Sequence, residues 1–124
     1  MNKIIQAGAI FGAFAVGIGA FGAHGLADIL ETYGRTETFE TGVKYHFYHA
    51  LALVLLGIIG HQPFSKKWLT WSSYGFIAGI LVFSGSLYIL SLTGITWLGA
   101  ITPIGGVAFI LGWIFLTIAV STKK

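Results

Sequence analysis

After Lys3 this chain carries no charged side chain until Asp28. The stretch between, from about Ile4 to Ala23, holds about twenty residues dominated by Ile, Ala, Gly, Phe and Val. At ~1.5 Å per residue that is enough to cross ~30 Å of hydrocarbon. A secretory signal would also open on a lysine and end in small residues. The stretch is long for a signal's apolar core, however, so it is expected to persist as span one.

The second apolar run is shorter. Ala50–Gly60 alone would not cross, but extending it back through Tyr48, Phe47, Tyr45 and Val43 gives a span of about 43–60. Thr36 is a candidate N-cap, Glu37 and Glu40 favour the positive end of the helix dipole, and Glu40 and Lys44 are spaced i,i+4 in the favourable order. These features predict one long helix from about Glu37 to Gly60, stopped by Gly60 and Pro63, with its first two turns in water or headgroups. Span three covers about 71–92, with Ser65 a candidate cap for an earlier start and Gly94 its end. Span four covers about 98–120, and Pro103 near its beginning is expected to bend it and free a carbonyl.

Between spans one and two, Leu26, Ile29, Leu30 and Tyr33 recur at i, i+3, i+4 and i+7, opposite Asp28, Glu31 and Thr32. That predicts a short amphipathic helix lying on the membrane surface or over the bundle mouth, with Gly34 as its C-cap. The fold class is therefore all-α: an integral membrane four-helix bundle, one transmembrane domain over residues 1–124, with a short surface helix between spans one and two.

Composition supports that class. The chain has 56% hydrophobic and 9% charged residues and a mean hydropathy of +0.85, against about a quarter charged in soluble domains. With no cysteine, disulfides, thiolate chemistry and Cys-based metal sites are excluded. The net charge of +3 comes from dispersed lysines and arginines, so nucleic acid is excluded as a partner. Lys3, Lys66, Lys67, Lys123 and Lys124 fall on the side of both termini, against Arg35 and Lys44 on the other. The positive-inside rule then predicts a plasma-membrane protein with both termini cytoplasmic and the acidic Asp28–Glu40 segment outside. Trp68 and Trp71 on one side and Trp97 on the other suit interfacial belts.

Small residues form stripes suited to close helix packing: Gly8, Gly12, Ala15, Gly19 and Gly22 in span one, Gly75 and Gly79 in span three, and Gly99, Gly105, Gly106 and Gly112 in span four. Packing within the chain is the preferred reading over dimerisation.

The remaining polar groups gather at one level. His24 ends span one, His49 lies about a turn into span two, Ser84 and Ser86 lie in the outer half of span three, and Thr102 and Pro103 open span four. At ~1.5 Å per residue all fall within about 12 Å of the outer boundary, so a shared polar pocket is expected there. His46 and His49 share a helical face and His24 adds a third nitrogen. These are weak metal candidates without a fixed third ligand, and no metal or other cofactor is expected. No charge lies at the centre of any span, which disfavours an ion pump or carrier. Ser84, Ser86 and Ser91 lack any triad-like or elbow context, so no catalytic residue and no enzyme are expected.

Four segments, GAFGAHGL (Gly19–Leu26), Tyr45 to Leu56, FSGSLYIL (Phe83–Leu90) and GAITPIGGVAFILGW (Gly99–Trp113), together resemble the YwdK/YgdD-like family of small four-span bacterial membrane proteins. The resemblance covers nearly the whole chain. It implies a multi-pass plasma-membrane bundle with no accepted biochemical activity. It also marks Gly22, His24, Gly25, Tyr45, His49, Ser86, Leu87, Tyr88, Thr102, Pro103, Gly105 and Gly106. Members commonly carry Gln where this chain has His46, which weakens the metal reading. The expectation is thus a non-catalytic bundle that binds a lipid, small ligand or partner protein through His24, Tyr45, His49, Ser86, Tyr88 and Thr102. The partners expected are membrane lipids and a membrane-protein partner or second copy; the alternative is a small oligomeric channel or transporter.

Overall fold

The structure, a computed structural model, describes residues 1–122; Lys123 and Lys124, which enter the charge count above, lie outside the described residues. Four helical segments have the length and hydropathy to cross a membrane: Asn2–Ala23, Thr36–Ile59, Lys66–Thr93 and Thr96–Ser121. They comprise α1 (Asn2–Ala23), α3 (Thr36–Ile59), α4 (Lys66–Gly79) continued by α5 (Gly85–Thr93), and α6 (Thr102–Ser121). The short α2 (Ala27–Tyr33) joins the first two.

The predicted α2 is present and lies over the bundle mouth. Leu30 is buried while Asp28, Glu31 and Thr32 face outward. Gly34, at φ 64°, ends it. The Arg35 N–H bonds the Leu30 carbonyl at 2.9 Å and the Gly34 N–H bonds that of Glu31 at 3.0 Å, the paired closure that a left-handed residue allows. Gly94, at φ 71°, ends α5 in the same backbone conformation, with its N–H on the Leu90 carbonyl at 2.8 Å. Tyr33 packs on Gly94, so the end of α2 rests on the end of α5.

Three local expectations need correction. Thr36 is the first helical residue of α3, and Arg35 is the N-cap, with no side-chain capping bond. Ser65 does precede α4, but its hydroxyl makes no capping bond. Pro103 does not bend span four; it lies in the first turn of α6, where its missing N–H removes no helical bond. A 3-10 turn over Thr96–Ala100 precedes it.

Span three holds a feature the hydropathy pattern does not contain, a π-helical turn over Ile80–Ser84. One extra residue in that turn shifts the face α5 presents relative to α4.

Span one packs mainly against α3. It buries only Gly8, Ala15 and Gly22, seven residues apart along one face. A Cβ on Gly8 would lie 2.8 Å from the Ala50 carbonyl oxygen and from Val54, and Phe39 occupies the space over Gly22. The small-residue stripe of span one is thus an intramolecular seam. Gly12 and Gly19 lie on the same seam with more room, 3.9 Å from the Ala50 Cβ and 3.1 Å from Val43 respectively.

The second seam joins α4 to α6. A Cβ on Gly75 would lie 2.8 Å from the Gly112 Cα, Phe109 covers Gly79, and Phe83 crosses directly over Gly105. Gly106 is looser, at 3.8 Å from the Phe83 ring. Between the seams lies the core, built on Leu53, Leu56, Leu69, Phe76, Ile80 and Phe109. The outer faces of α1 and α6, with Phe14, Val16, Ile104, Val107 and Ile110 exposed, are apolar as a lipid-facing surface requires.

Candidate functional site

Gly42, Tyr45, His46 and His49 occupy one face of α3 at i, i+3, i+4 and i+7, and the buried members meet three different partners. His49 is 5% exposed. Its Nδ1 lies 2.7 Å from the Tyr45 carbonyl, which only accepts, so Nδ1 carries the proton. Nε2 is then the acceptor, and it receives the Trp113 indole N–H at 3.1 Å. The ring stacks on Phe109 with centroids 3.6 Å apart. Both nitrogens are occupied and the imidazole is neutral.

His46, 3% exposed, turns instead toward α5, with Nδ1 2.8 Å from the Tyr88 hydroxyl. Its other nitrogen has no hydrogen-bond partner. The Phe11 ring of α1 packs against the imidazole, with centroids 6.1 Å apart and planes at 75°. Two histidines three residues apart therefore serve two different helix contacts.

The hydroxyls divide in the same way. Ser84 donates to the Gly42 carbonyl of α3 at 2.7 Å. Ser72 donates to the Gly112 carbonyl of α6 at 2.7 Å. Ser86 and Thr102 lie 2.6 Å apart, and Ser86 is 2.9 Å from the Phe83 carbonyl. Thr102 also reaches the Leu98 carbonyl at 3.3 Å, so each hydroxyl has a carbonyl acceptor of its own and either can donate to the other. Every pair of neighbouring spans other than α1 and α3 thus shares at least one polar joint.

Of the residues expected to line one pocket, Tyr45, His49, Ser86, Tyr88 and Thr102 are all in the interior network or on its edge. They are not gathered around one space. His49 lies at the middle of α3 and meets the middle of α6, deeper than the expected outer level, because α3 is helical from Thr36 and carries His49 into its centre. His24 is exposed at the end of α1, beside Ala20, Phe21 and Gly25, and joins none of these bonds. Among the described residues no group of three or more His, Asp or Glu side chains is placed to hold a metal ion. Trp113 and Ser72 are the members of this network that sequence reasoning missed.

One space accessible to a ligand lies along the groove between α1 and α3. Its upper part, about 200 Å³, is bounded by Gly19, Gly22, Leu30, Phe39 and Val43, with Thr36, Glu40 and Lys44 at the mouth. A lower part of about 300 Å³ shares Gly19, Val43 and Lys44 and continues past Ala15, Val16, Phe47 and Tyr48. Polar groups sit at one end and apolar walls run down the other.

Residues 18–106 match the family described as "Protein of unknown function (DUF423)". The chain is 48% identical over 120 residues to the UPF0382 membrane protein YwdK of Bacillus subtilis, covering 96% of each chain. It is 48% identical over 120 residues to the UPF0382 membrane protein SAB0533 of Staphylococcus aureus, covering 96% of this chain and 95% of the relative. The chain belongs to the DUF423 family. It is an integral, multi-pass membrane protein, as the family resemblance and the four spans both require. No solved structure matches it.

Within this DUF423 bundle, four of the residues marked by the resemblance, His49, Tyr88, Ser86 and Thr102, make side-chain hydrogen bonds between helices. In a membrane such bonds hold helices together, because lipid offers no polar substitute.

Proposed function

We propose that the protein is a non-catalytic membrane bundle that holds one bilayer lipid in the groove between α1 and α3. The observation that carries the reading is the layout of that groove: Thr36, Glu40 and Lys44 at the mouth, then apolar walls from Gly19 to Phe47. A headgroup and an acyl chain need that sequence of environments. The volumes of its two parts together reach the usual ligand-cleft range of ~300–1,000 Å³. The His49–Trp113 bond ties α3, one wall of the groove, to α6. The protein's place in the plasma membrane, with both termini cytoplasmic, belongs to the same reading and rests on the lysine distribution.

The test is lipid analysis of the full chain purified in mild detergent. Wild type is expected to retain lipid in stoichiometric amount. Gly19→Leu, which fills the groove, and Lys44→Ala, which removes a charge at its mouth, are expected to lose it; Ile104→Ala on the outer face of α6 is expected to keep it. Equal lipid in all four proteins defeats the reading. Reconstituted liposomes supply the rival outcome, since ion or solute flux through wild type would favour an oligomeric channel.

A further inference from the structure

At the end of the molecule opposite the acidic segment, the start of α1 meets the loop between α3 and α4. Met1 packs over Gly60, and the Ser65 N–H bonds the Ala119 carbonyl at 3.3 Å, so α1, α3, α4 and α6 are tied together there. Between them opens a recess of about 350 Å³ lined by Met1, Asn2, Lys3, His61 and Lys66. Its lining is mainly polar, unlike that of the α1–α3 groove.

Its charge is one-sided. Lys3 and Lys66 are both exposed, and all four acidic residues of the chain lie between Asp28 and Glu40, a full span away. Two lysines and an imidazole therefore line one recess, and among the described residues no carboxylate lines it beside them. Asn2 adds an amide donor. The recess lies at the ends of the spanning helices, beside the start of α1 and the start of α4. Trp68, in the first turn of α4, stacks on Phe115 with centroids 5.4 Å apart, and a tryptophan at a span end suits the membrane interface. Lys67 is turned away, its Nζ 5.2 Å from the Trp68 ring centroid, and does not line the recess.

We infer that this recess binds a phosphate-bearing anion, with Lys3 and Lys66 as the charged contacts and Asn2 and His61 as further polar groups. Basic recesses between membrane helices hold anionic lipid headgroups by this chemistry. The inference stands apart from the α1–α3 groove, which lies at the other end of α1.

The experiment is a thermal-stability titration of the full chain in detergent, with added phosphatidylglycerol, phosphatidylcholine or inorganic phosphate. Phosphatidylglycerol is expected to stabilise wild type, and phosphatidylcholine, whose phosphate is masked by its own cation, is not. Near-surface lysines each contribute about a fivefold factor in binding. Lys3→Gln and Lys66→Gln should therefore each weaken the phosphatidylglycerol effect about fivefold and the double variant about 25-fold. Lys67→Gln should leave it unchanged. Inorganic phosphate at millimolar concentration that matches the lipid identifies free phosphate as the source; phosphate without effect identifies the lipid. Both lysines are exposed, and unchanged melting without added anion certifies that the variants fold. Equal phosphatidylglycerol stabilisation of wild type and the double variant, or equal response to phosphatidylcholine, overturns the inference.

Discussion

Trp113 donates its indole N–H to His49 Nε2 at 3.1 Å, and this single bond joins the centres of α3 and α6. It also settles the state of the histidine. With Nδ1–H on the Tyr45 carbonyl, a second ring proton on Nε2 would face the indole N–H donor to donor. In this arrangement His49 is a neutral joint in the bundle.

Trp113→Phe keeps the aromatic surface against Phe76 and removes only the donor. It should lower stability in detergent by about 1–3 kcal/mol, the cost of leaving a buried acceptor unpaired. His49→Leu should cost a similar amount, and the double variant should cost less than the two added together. Coupling between them of about 0.6–1.7 kcal/mol is expected from unfolding titrations. Strict additivity would mean the bond contributes nothing.

The serines of span three separate by partner. Ser84 is fully buried and donates to the Gly42 carbonyl, whereas Ser91 is fully buried with no hydrogen-bond partner. Ser84→Ala should destabilise by about 0.5–1.5 kcal/mol. Ser91→Ala removes an unsatisfied hydroxyl and should be neutral or stabilising. Comparison of the two melting temperatures checks both, and a larger loss for Ser91→Ala would contradict the assignment.

Glycines that look alike in the sequence differ sharply in the seams. A Cβ on Gly8 would meet Ala50 and Val54 backbone or side-chain atoms at 2.8 Å, and one on Gly17 meets nothing within 4 Å. Gly8→Leu should separate α1 from α3 and cost about 1–3 kcal/mol or more through overpacking. Gly17→Ala should be neutral or slightly stabilising, since helical glycine is worse than alanine by about 1 kcal/mol. Thermal unfolding of both variants in detergent distinguishes them.

Much of this architecture was legible because the bilayer imposes it. A charge-free run of sufficient length has few alternatives to a spanning helix, and Gly34 and Gly94 stop their helices with φ values other residues resist. The 4-3-4-3 spacing of small residues in span one likewise found its partner in α3. The pairing of polar side chains was not legible, since it depends on helix rotation and offset, which a repeat of apolar residues leaves free. The π turn at Ile80–Ser84 adds a rotation that no residue there announces. Trp113 did carry a signal. Trp68, Trp71 and Trp97 lie near span ends, while Trp113 lies in mid-span, where an indole N–H needs an acceptor. The apolar character of span four hid it.

The threading itself is open to direct measurement, because the chain has no cysteine and a single introduced thiol reports its own side. Glu31 on α2 and Gln62 in the α3–α4 loop are exposed at opposite ends of the bundle. If both termini face the cytoplasm, Glu31→Cys should react with a membrane-impermeant maleimide in intact cells, and Gln62→Cys only after lysis. The lysine distribution favours that result, since Lys3, Lys66 and Lys67 share an end with Gln62. The reverse pattern would invert the protein without disturbing its fold and would move the α1–α3 groove to the inner leaflet. Labelling of both thiols in intact cells would be the more damaging outcome, because α3 could not then cross the membrane.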